Sequence, residues 1–167
     1  RYLQKFQGDS LARRIRADLA YRLYDYFAGN AGPDWPWCED VVTYDNAKLP
    51  HALILSGQWI PDPKLLEQGI RSLEWLIDLQ IDKEGTVRLI GNRGWLTRDG
   101  HRAHFDQQPI EVMSHIEACA EAYRCTQDKR WLQRARVFLG WFLGNNDTQT
   151  VIYDFATGGC RDGLHPD

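Results

Sequence analysis

Two stretches of this chain run in register at a spacing of 66 residues: Asp40 with Asp106, Asp45 with Glu111, Ala52 with Ala118, Asp62 with Asp128, Leu66 with Leu132, Leu73 with Leu139 and Trp75 with Trp141. A period this long, with an apolar stripe in each copy, marks stacked supersecondary units, because each unit needs a neighbour to cover its apolar face. The register therefore predicts a helical repeat.

Local signals divide the chain into five helices. The first is expected from Asp9 to Ala28, with Leu11, Ile15, Leu19, Leu23 and Phe27 as its apolar stripe and Gly29 to Pro33 as its stop. The second follows Asp45-Asn46 and ends at Gly57, with Pro50 placing its start nearby. Asp62-Pro63 supplies a cap and a first-position proline for a third helix running to about Ile81. From Asp82 to Phe105 glycines interrupt the sequence around Thr86-Val87-Arg88-Leu89-Ile90, which predicts a long loop containing a short strand or hairpin. Pro109 opens the fourth helix (Val112, Ile116, Cys119, Ala120, Tyr123), and Asp128 opens the fifth (Leu132, Ala135, Leu139, Phe142). The stretch from Tyr153 to Leu164 has no helical period and is read as a loop.

Charge and cysteine usage narrow the classes of function. The net charge of -3 and the interleaving of basic with acidic residues leave no phosphate-binding stripe, so nucleic acid is not an expected partner. The sequence shows no signal peptide and no apolar run of membrane-spanning length. Cys38, Cys119, Cys125 and Cys160 form no CxxC pair, which favours reduced thiols, a cytoplasmic location and no metal site. No cofactor is expected, since Gly158-Gly159 reads as a turn and not as a phosphate loop. The chain starts without methionine and stops just after a glycine-rich turn, so it is expected to be an incomplete single domain over 1–167, part of a longer polypeptide.

The acids carry the chemistry. Asp34-Trp35-Pro36-Trp37-Cys38-Glu39-Asp40 and Tyr44-Asp45-Asn46 precede the second helix, and Asp106-Gln107-Gln108 precedes the fourth. Flat indoles beside hydrogen-bonding carboxylates suit a sugar ring. Alternate helices of a hairpin array run in one direction, so these loops and the Tyr153 to Leu164 loop are expected on one rim, where Glu39, Asp40, Asp45, Asp106, Glu111, Asp154 and Asp162 converge. Plainer roles stand beside this one. Asp45 and Glu111 suit helix caps, Glu111 standing three residues after Gln108 as in a capping box; Trp35 and Trp37 suit packing; Trp75 and Trp141 suit the core; His115 suits a packed position. His101 or His104 beside Asp106 would make a proton-transfer pair.

The series Trp35-Pro36-Trp37-x-Glu39-Asp40, Tyr44-Asp45-Asn46-Ala47-x-Leu49-Pro50, Phe105-Asp106-Gln107-Gln108-Pro109-Ile110-Glu111 and Tyr153-Asp154-x-x-Thr157-Gly158-Gly159-Cys160-x-Asp162-Gly163-Leu164 resembles the motifs of a bacterial all-helical domain found beside group 1 glycosyltransferases. That domain is similar to six-hairpin glycosidase-like (α/α)6 toroids. The resemblance implies an all-α fold, a partial (α/α) toroid of about three hairpins with one short β segment, and further helices beyond this chain that close the ring.

Three functions follow as expectations. The first is a carbohydrate-active domain with Asp40 and Asp106 as the leading acid and base, Glu39 and Asp154 as further catalytic candidates, and Trp35, Trp37, Tyr44, Asp45, Asn46, Gln107, Gln108, Glu111 and Asp162 as substrate-binding residues. A separation of the two carboxyls of about 5 Å would favour retention of configuration and a wider one inversion. The second is a noncatalytic glycan-binding or interaction module attached to a glycosyltransferase. The third is a sugar epimerase, which needs a histidine pair at the pocket. An open array also exposes an apolar end, so homo-oligomerisation is a further expectation.

Overall fold

The computed structural model describes residues 2–166. In chain order it contains α1 (Tyr2–Lys5), α2 (Ser10–Asn30), β1 (Val41–Val42), α3 (Lys48–Gly57), α4 (Pro63–Asp78), β2 (Leu96–Thr97), α5 (Pro109–Thr126) and α6 (Arg130–Trp141). The five longer helices answer to the five expected ones; α1 is an additional single turn.

Their ends follow from local chemistry. Asp9 accepts the Ala12 N–H at 2.9 Å and starts α2. Asp62 accepts the Lys64 N–H at 3.1 Å ahead of Pro63 and starts α4. Pro109 opens α5, which stops where Gln127 turns left-handed (φ 57°) and returns its N–H to the Tyr123 carbonyl at 2.8 Å. These are the ordinary ways of satisfying the free N–H and C=O groups at helix ends.

The helices pack in pairs: α3 with α4, α5 with α6, α3 against α5, and α2 against α3 and α4. Polar ties between α3 and α5 ascend both helices together. Glu111 accepts the Asp45 N–H, Lys48 pairs with Glu117, and Gln58 bonds Glu121, at separations of 66, 69 and 63 residues. The two helices therefore run parallel, and the 66-residue register is a spatial adjacency. Because it is covered on several sides, α5 buries polar as well as apolar positions: Glu111, Ser114, His115 and Glu121 alongside Val112, Ala118, Cys119 and Ala122. Among the described residues no helix is long and apolar enough to cross a membrane.

Two sequence expectations need correction. The stripe of α2 does not enter the core as a unit, since Leu11, Ile15 and Leu19 are 55, 50 and 59% exposed and only Phe27 is fully buried. A strict spacing of four overruns the helical turn by about 40° per step, so the stripe winds from solvent to core along the helix. Its outer part flanks a groove of about 770 Å³ shared with Leu55 of α3 and Trp59 in the turn that follows it. In α6 the buried side is Trp131, Phe138 and Trp141, leaving Leu139 half exposed. The short strand or hairpin expected around 86–90 is present as a single antiparallel bridge, Val87 with Ile81. Gln80 occupies its backbone, accepting the Arg88 N–H at 2.8 Å on its carbonyl and the Ile90 N–H at 3.4 Å on its side chain. The sheet forms ten residues further on, where Leu96–Thr97 pairs antiparallel with Val41–Val42.

Glycines at Gly91 and Gly69 permit close approaches of neighbouring segments. A Cβ at Gly91 would lie 2.2 to 2.4 Å from the Phe105 backbone, and one at Gly69 of α4 would lie 2.8 to 2.9 Å from Ile54 and the Pro50 carbonyl of α3. Gly69→Ala is expected to destabilise the protein by about 1–3 kcal/mol by forcing α3 and α4 apart. Gly29→Ala, which meets nothing within 4 Å, is expected to be neutral or stabilising by up to about 1 kcal/mol. Denaturant unfolding of the two variants checks the contrast, and equal effects would contradict it.

Candidate functional site

The parallel course of α3 and α5 brings the loops before them to one end of the molecule. Asp45, with a left-handed backbone (φ 50°) that aspartate tolerates better than most residues, directs its N–H at Glu111. Asn46 Nδ2 reaches the second Glu111 oxygen at 3.3 Å, and Asn46 Oδ1 accepts the Thr43 N–H at 2.9 Å. The expected capping box on α5 does not form: Gln108 stands at the N-cap without a side-chain cap bond, and the carboxyl of Glu111 instead accepts the Asp45 N–H in the loop ahead of α3. Burial, with a smaller contribution from the Asp45 charge, pushes Glu111 up to about 7, against the hydrogen bonds that favour its ionised form.

The first loop is anchored by its indoles. Trp37 is 1% exposed, edge-on to Phe27 at 5.6 Å and stacked on Trp75 at 6.1 Å, so packing occupies the face a sugar would need. Trp35 stays part exposed, edge-on to Trp75, with its Nε1 donating to the Glu39 carbonyl at 2.7 Å and the Arg98 guanidinium over its ring. Glu39, Asp40 and Tyr44 are exposed. Asp40 bonds Arg98 Nη1 at 2.9 Å, and Tyr26 donates to Glu39 at 3.3 Å.

The second and third loops meet directly. The N–H groups of Gln107 and Leu164 are exchanged across an antiparallel bridge at 3.0 and 2.9 Å. Gln107 is fully buried; its amide accepts from Trp141 Nε1 at 2.8 Å and donates to the His104 carbonyl at 2.9 Å. Asp106 is held by His165 Nδ1 on one oxygen at 2.6 Å and by Arg93 Nε on the other at 3.0 Å, and these partners, the histidine first, keep its carboxyl below the usual carboxylate range. Asp154 bonds within its own loop, to Thr157 Oγ1 at 2.6 Å and the Ala156 N–H at 2.8 Å, and is likewise lowered. Asp162 is exposed.

The candidate residues thus divide. Trp37, Asn46, Gln107 and Glu111 are buried framework, while Glu39, Asp40, Tyr44, Asp154 and Asp162 face solvent, with Trp35, Asp45, Asp106 and Gln108 between. Asp45, Asn46 and Glu111 are in mutual contact; Asp40, Asp106 and Asp154 each bond to a separate partner. The histidines also sort. His115 is fully buried, stacked on Phe138 at 4.3 Å and bonded to Gln80 and the Glu111 carbonyl, and burial lowers it to about 4. His101 and His104 make no bond to Asp106; that partner is His165, which the sequence reading passed over. Arg93 and Arg98 were missed too, because a single arginine in a long loop carries no periodic signal. The long loop itself straps the first and second motifs together through β1–β2, Arg98–Asp40 and Arg93–Asp106.

The raised Glu111 gives a pH test. A carboxyl whose folded value lies above its unfolded one adds stability fully present below about pH 4.5 and lost as pH rises through about 7. His115, lowered by burial, has the opposite sign, its stability present above 6.5 and lost as pH falls through about 4. The difference between Glu111→Gln and the wild type isolates the carboxyl. It is expected to shift in the variant's favour by about 3 kcal/mol between pH 4.5 and 8, measured by urea unfolding across that range; parallel profiles would exclude the effect.

No family model and no curated protein sequence matches the chain. Among solved structures it is similar to an unsaturated glucuronyl hydrolase specific for heparin, with a TM-score of 0.57 and 16% identity over 83% of this chain and 40% of the other. It is also similar to the Lin0763 protein from Listeria innocua, with a TM-score of 0.50 and 22% identity over 59% of this chain and 27% of the other. The chain spans well under half the length of either structure. At these identities the likeness is one of fold: a mostly helical array of paired helices with one small sheet, matching part of the hydrolase's chain.

Proposed function

We propose that this chain is part of a carbohydrate-active domain that binds or processes a glycan at the rim formed by its three motif loops. The observation that carries this is the meeting of those loops at the N-terminal ends of the parallel helices α3 and α5, in a fold similar to a glycoside-acting enzyme over 83% of the chain. Trp35 and Tyr44 offer part-exposed and exposed aromatic surface, Glu39, Asp40, Asp154 and Asp162 offer hydroxyl acceptors, and Arg93 and Arg98 place positive charge among them. That mixture suits a sugar bearing a carboxylate or sulfate, since a guanidinium recognises either with paired hydrogen bonds. Asp40, exposed and outside any buried network, remains the leading catalytic carboxylate.

A noncatalytic reading has its own support, because Asp106 and Asp154 spend their oxygens on Arg93, His165, Thr157 and Ala156. On that reading the domain holds a glycan or packs beside an attached glycosyltransferase.

The unsaturated disaccharides released from heparin by a lyase are the first probe. Calorimetric binding and cleavage of the disaccharide into its two monosaccharides, followed by the new reducing end, are measured for the wild type and Asp40→Asn. The processing reading expects turnover that falls by about 100-fold or more in the variant while binding stays within a few-fold. Binding without turnover favours the module, and absence of both removes the carbohydrate reading for this class of sugar.

A further inference from the structure

Resting on the carbohydrate-processing reading, the geometry points to His165 as the proton-transfer group of the rim, with Asp106 as its positioning residue. Hydrolysis of a glycosidic bond needs a group able to take and return a proton near neutral pH. Beside Asp40, the leading catalytic carboxylate, Asp106, Asp154 and Glu111 supply a second such group poorly. Both oxygens of Asp106 are occupied, Asp154 is closed on its own loop, and the one carboxyl raised towards neutrality, Glu111, is buried with both oxygens accepting bonds from the start of α3.

His165 is placed differently. Its side chain is 53% exposed beside an Asp106 carboxylate that is 18% exposed. Nδ1 lies 2.6 Å from the Asp106 oxygen, and a carboxylate there can only accept, so Nδ1 carries the proton and, in the neutral ring, the lone pair stands on Nε2. No described residue hydrogen-bonds Nε2. An added Cβ at Gly163 would sit 3.8 Å from Nε2, in van der Waals contact, so glycine there leaves room beside that edge of the ring. The second oxygen of Asp106 is fixed by Arg93 at 3.0 Å and the Asp106 N–H by Asn92 at 3.3 Å, so the ring hangs from a carboxylate that is itself held. The pairing of Gln107 with Leu164 fixes the backbone on both sides of the dyad. Asp106, directly, and Arg93, through Asp106, are the charged groups in this network.

The step balances without a redox partner. A water oxygen bonds to the anomeric carbon and gives a proton to Nε2; the bond from that carbon to the glycosidic oxygen breaks, its electron pair staying on the leaving oxygen. Nε2 then returns the proton to that oxygen, leaving two hydroxyl compounds from one glycoside and one water. Asp106 stays ionised throughout and stabilises the transient imidazolium, as an orienting carboxylate does in other histidine pairs.

The test uses the same disaccharide probe with wild type, His165→Gly and Asp106→Asn, each checked for a wild-type melting profile. Turnover is expected to fall by about 100-fold or more in His165→Gly, with binding retained and activity restored by added imidazole. Nitrogen NMR of the ring is expected to show the Nδ1–H tautomer in the wild type and its loss in Asp106→Asn. Turnover that survives His165→Gly, a loss that imidazole does not rescue, or a wild-type proton on Nε2 would each overturn the assignment. Wild-type binding without turnover would also overturn it while leaving the glycan-binding reading standing. Neither binding nor turnover would remove the carbohydrate reading itself.

Discussion

A single buried carboxyl sets the geometry of the motif end. Glu111 lies in the first turn of α5, yet it satisfies the backbone N–H and the asparagine side chain at the start of α3. Once that bond is made, the two helices begin at the same level and run the same way. The loops preceding them then have one side of the molecule to occupy. Burying the group is unfavourable for the charged form, as its rise to about 7 records, and the hydrogen bonds at the helix start offset part of that penalty. A helix N-terminus is one of the few apolar-flanked environments where a carboxyl finds donors already aimed at it.

The arginines of the long loop complete what Glu111 begins. A segment with so little regular structure needs anchors. It finds them in the short pairing of Leu96–Thr97 with Val41–Val42 and in ion pairs from Arg98 to Asp40 and from Arg93 to Asp106. Such exposed pairs contribute little stability individually. Their consequence is positional, since they decide which acids of the rim stay free. Asp106 is drawn into a network, whereas Asp40 keeps most of its surface in water despite its arginine. Charges that look equivalent in a repeat are thus made different by the loop between its copies.

What was legible in the sequence was local or periodic. Asp9, Asp62 and Pro109 mark helix starts because capping depends on residues a few positions away. The register of Asp45 with Glu111 was legible because adjacent units of an array place matching residues side by side, and that register proved to be a hydrogen bond. The outward turn of Leu11, Ile15 and Leu19 was not, because a stripe reports apolarity and not which neighbour is present to cover it. Nor was the small extent of the pairing around 86–90, which stops at the bridge of Val87 with Ile81, after which the Gln80 side chain takes the Ile90 N–H. Trp37 and Asp106 changed character for the same reason: an indole between Phe27 and Trp75, or a carboxylate between Arg93 and His165, is defined by residues far away in the chain.

That division bears on how acid motifs in helical arrays are to be read. A motif acid at a helix start can cap its own helix, hold the loop ahead of the next one, close its own loop, or face a ligand, and one residue type serves all four. In this chain Asp62 caps its own helix, Glu111 holds the loop ahead of the neighbouring one, Asp154 closes a loop and Asp40 projects into solvent. The first three roles consume the carboxylate's acceptor capacity, so the degree to which its oxygens are already bonded separates architecture from availability for chemistry. By that criterion the repeat's most conspicuous pair, Asp40 and Asp106, is not symmetric. Asp106 gives both oxygens to side chains, and through one of them its charge reaches an imidazole whose outer nitrogen is open, so the chemical capacity at that position has passed from the motif residue to the histidine it holds.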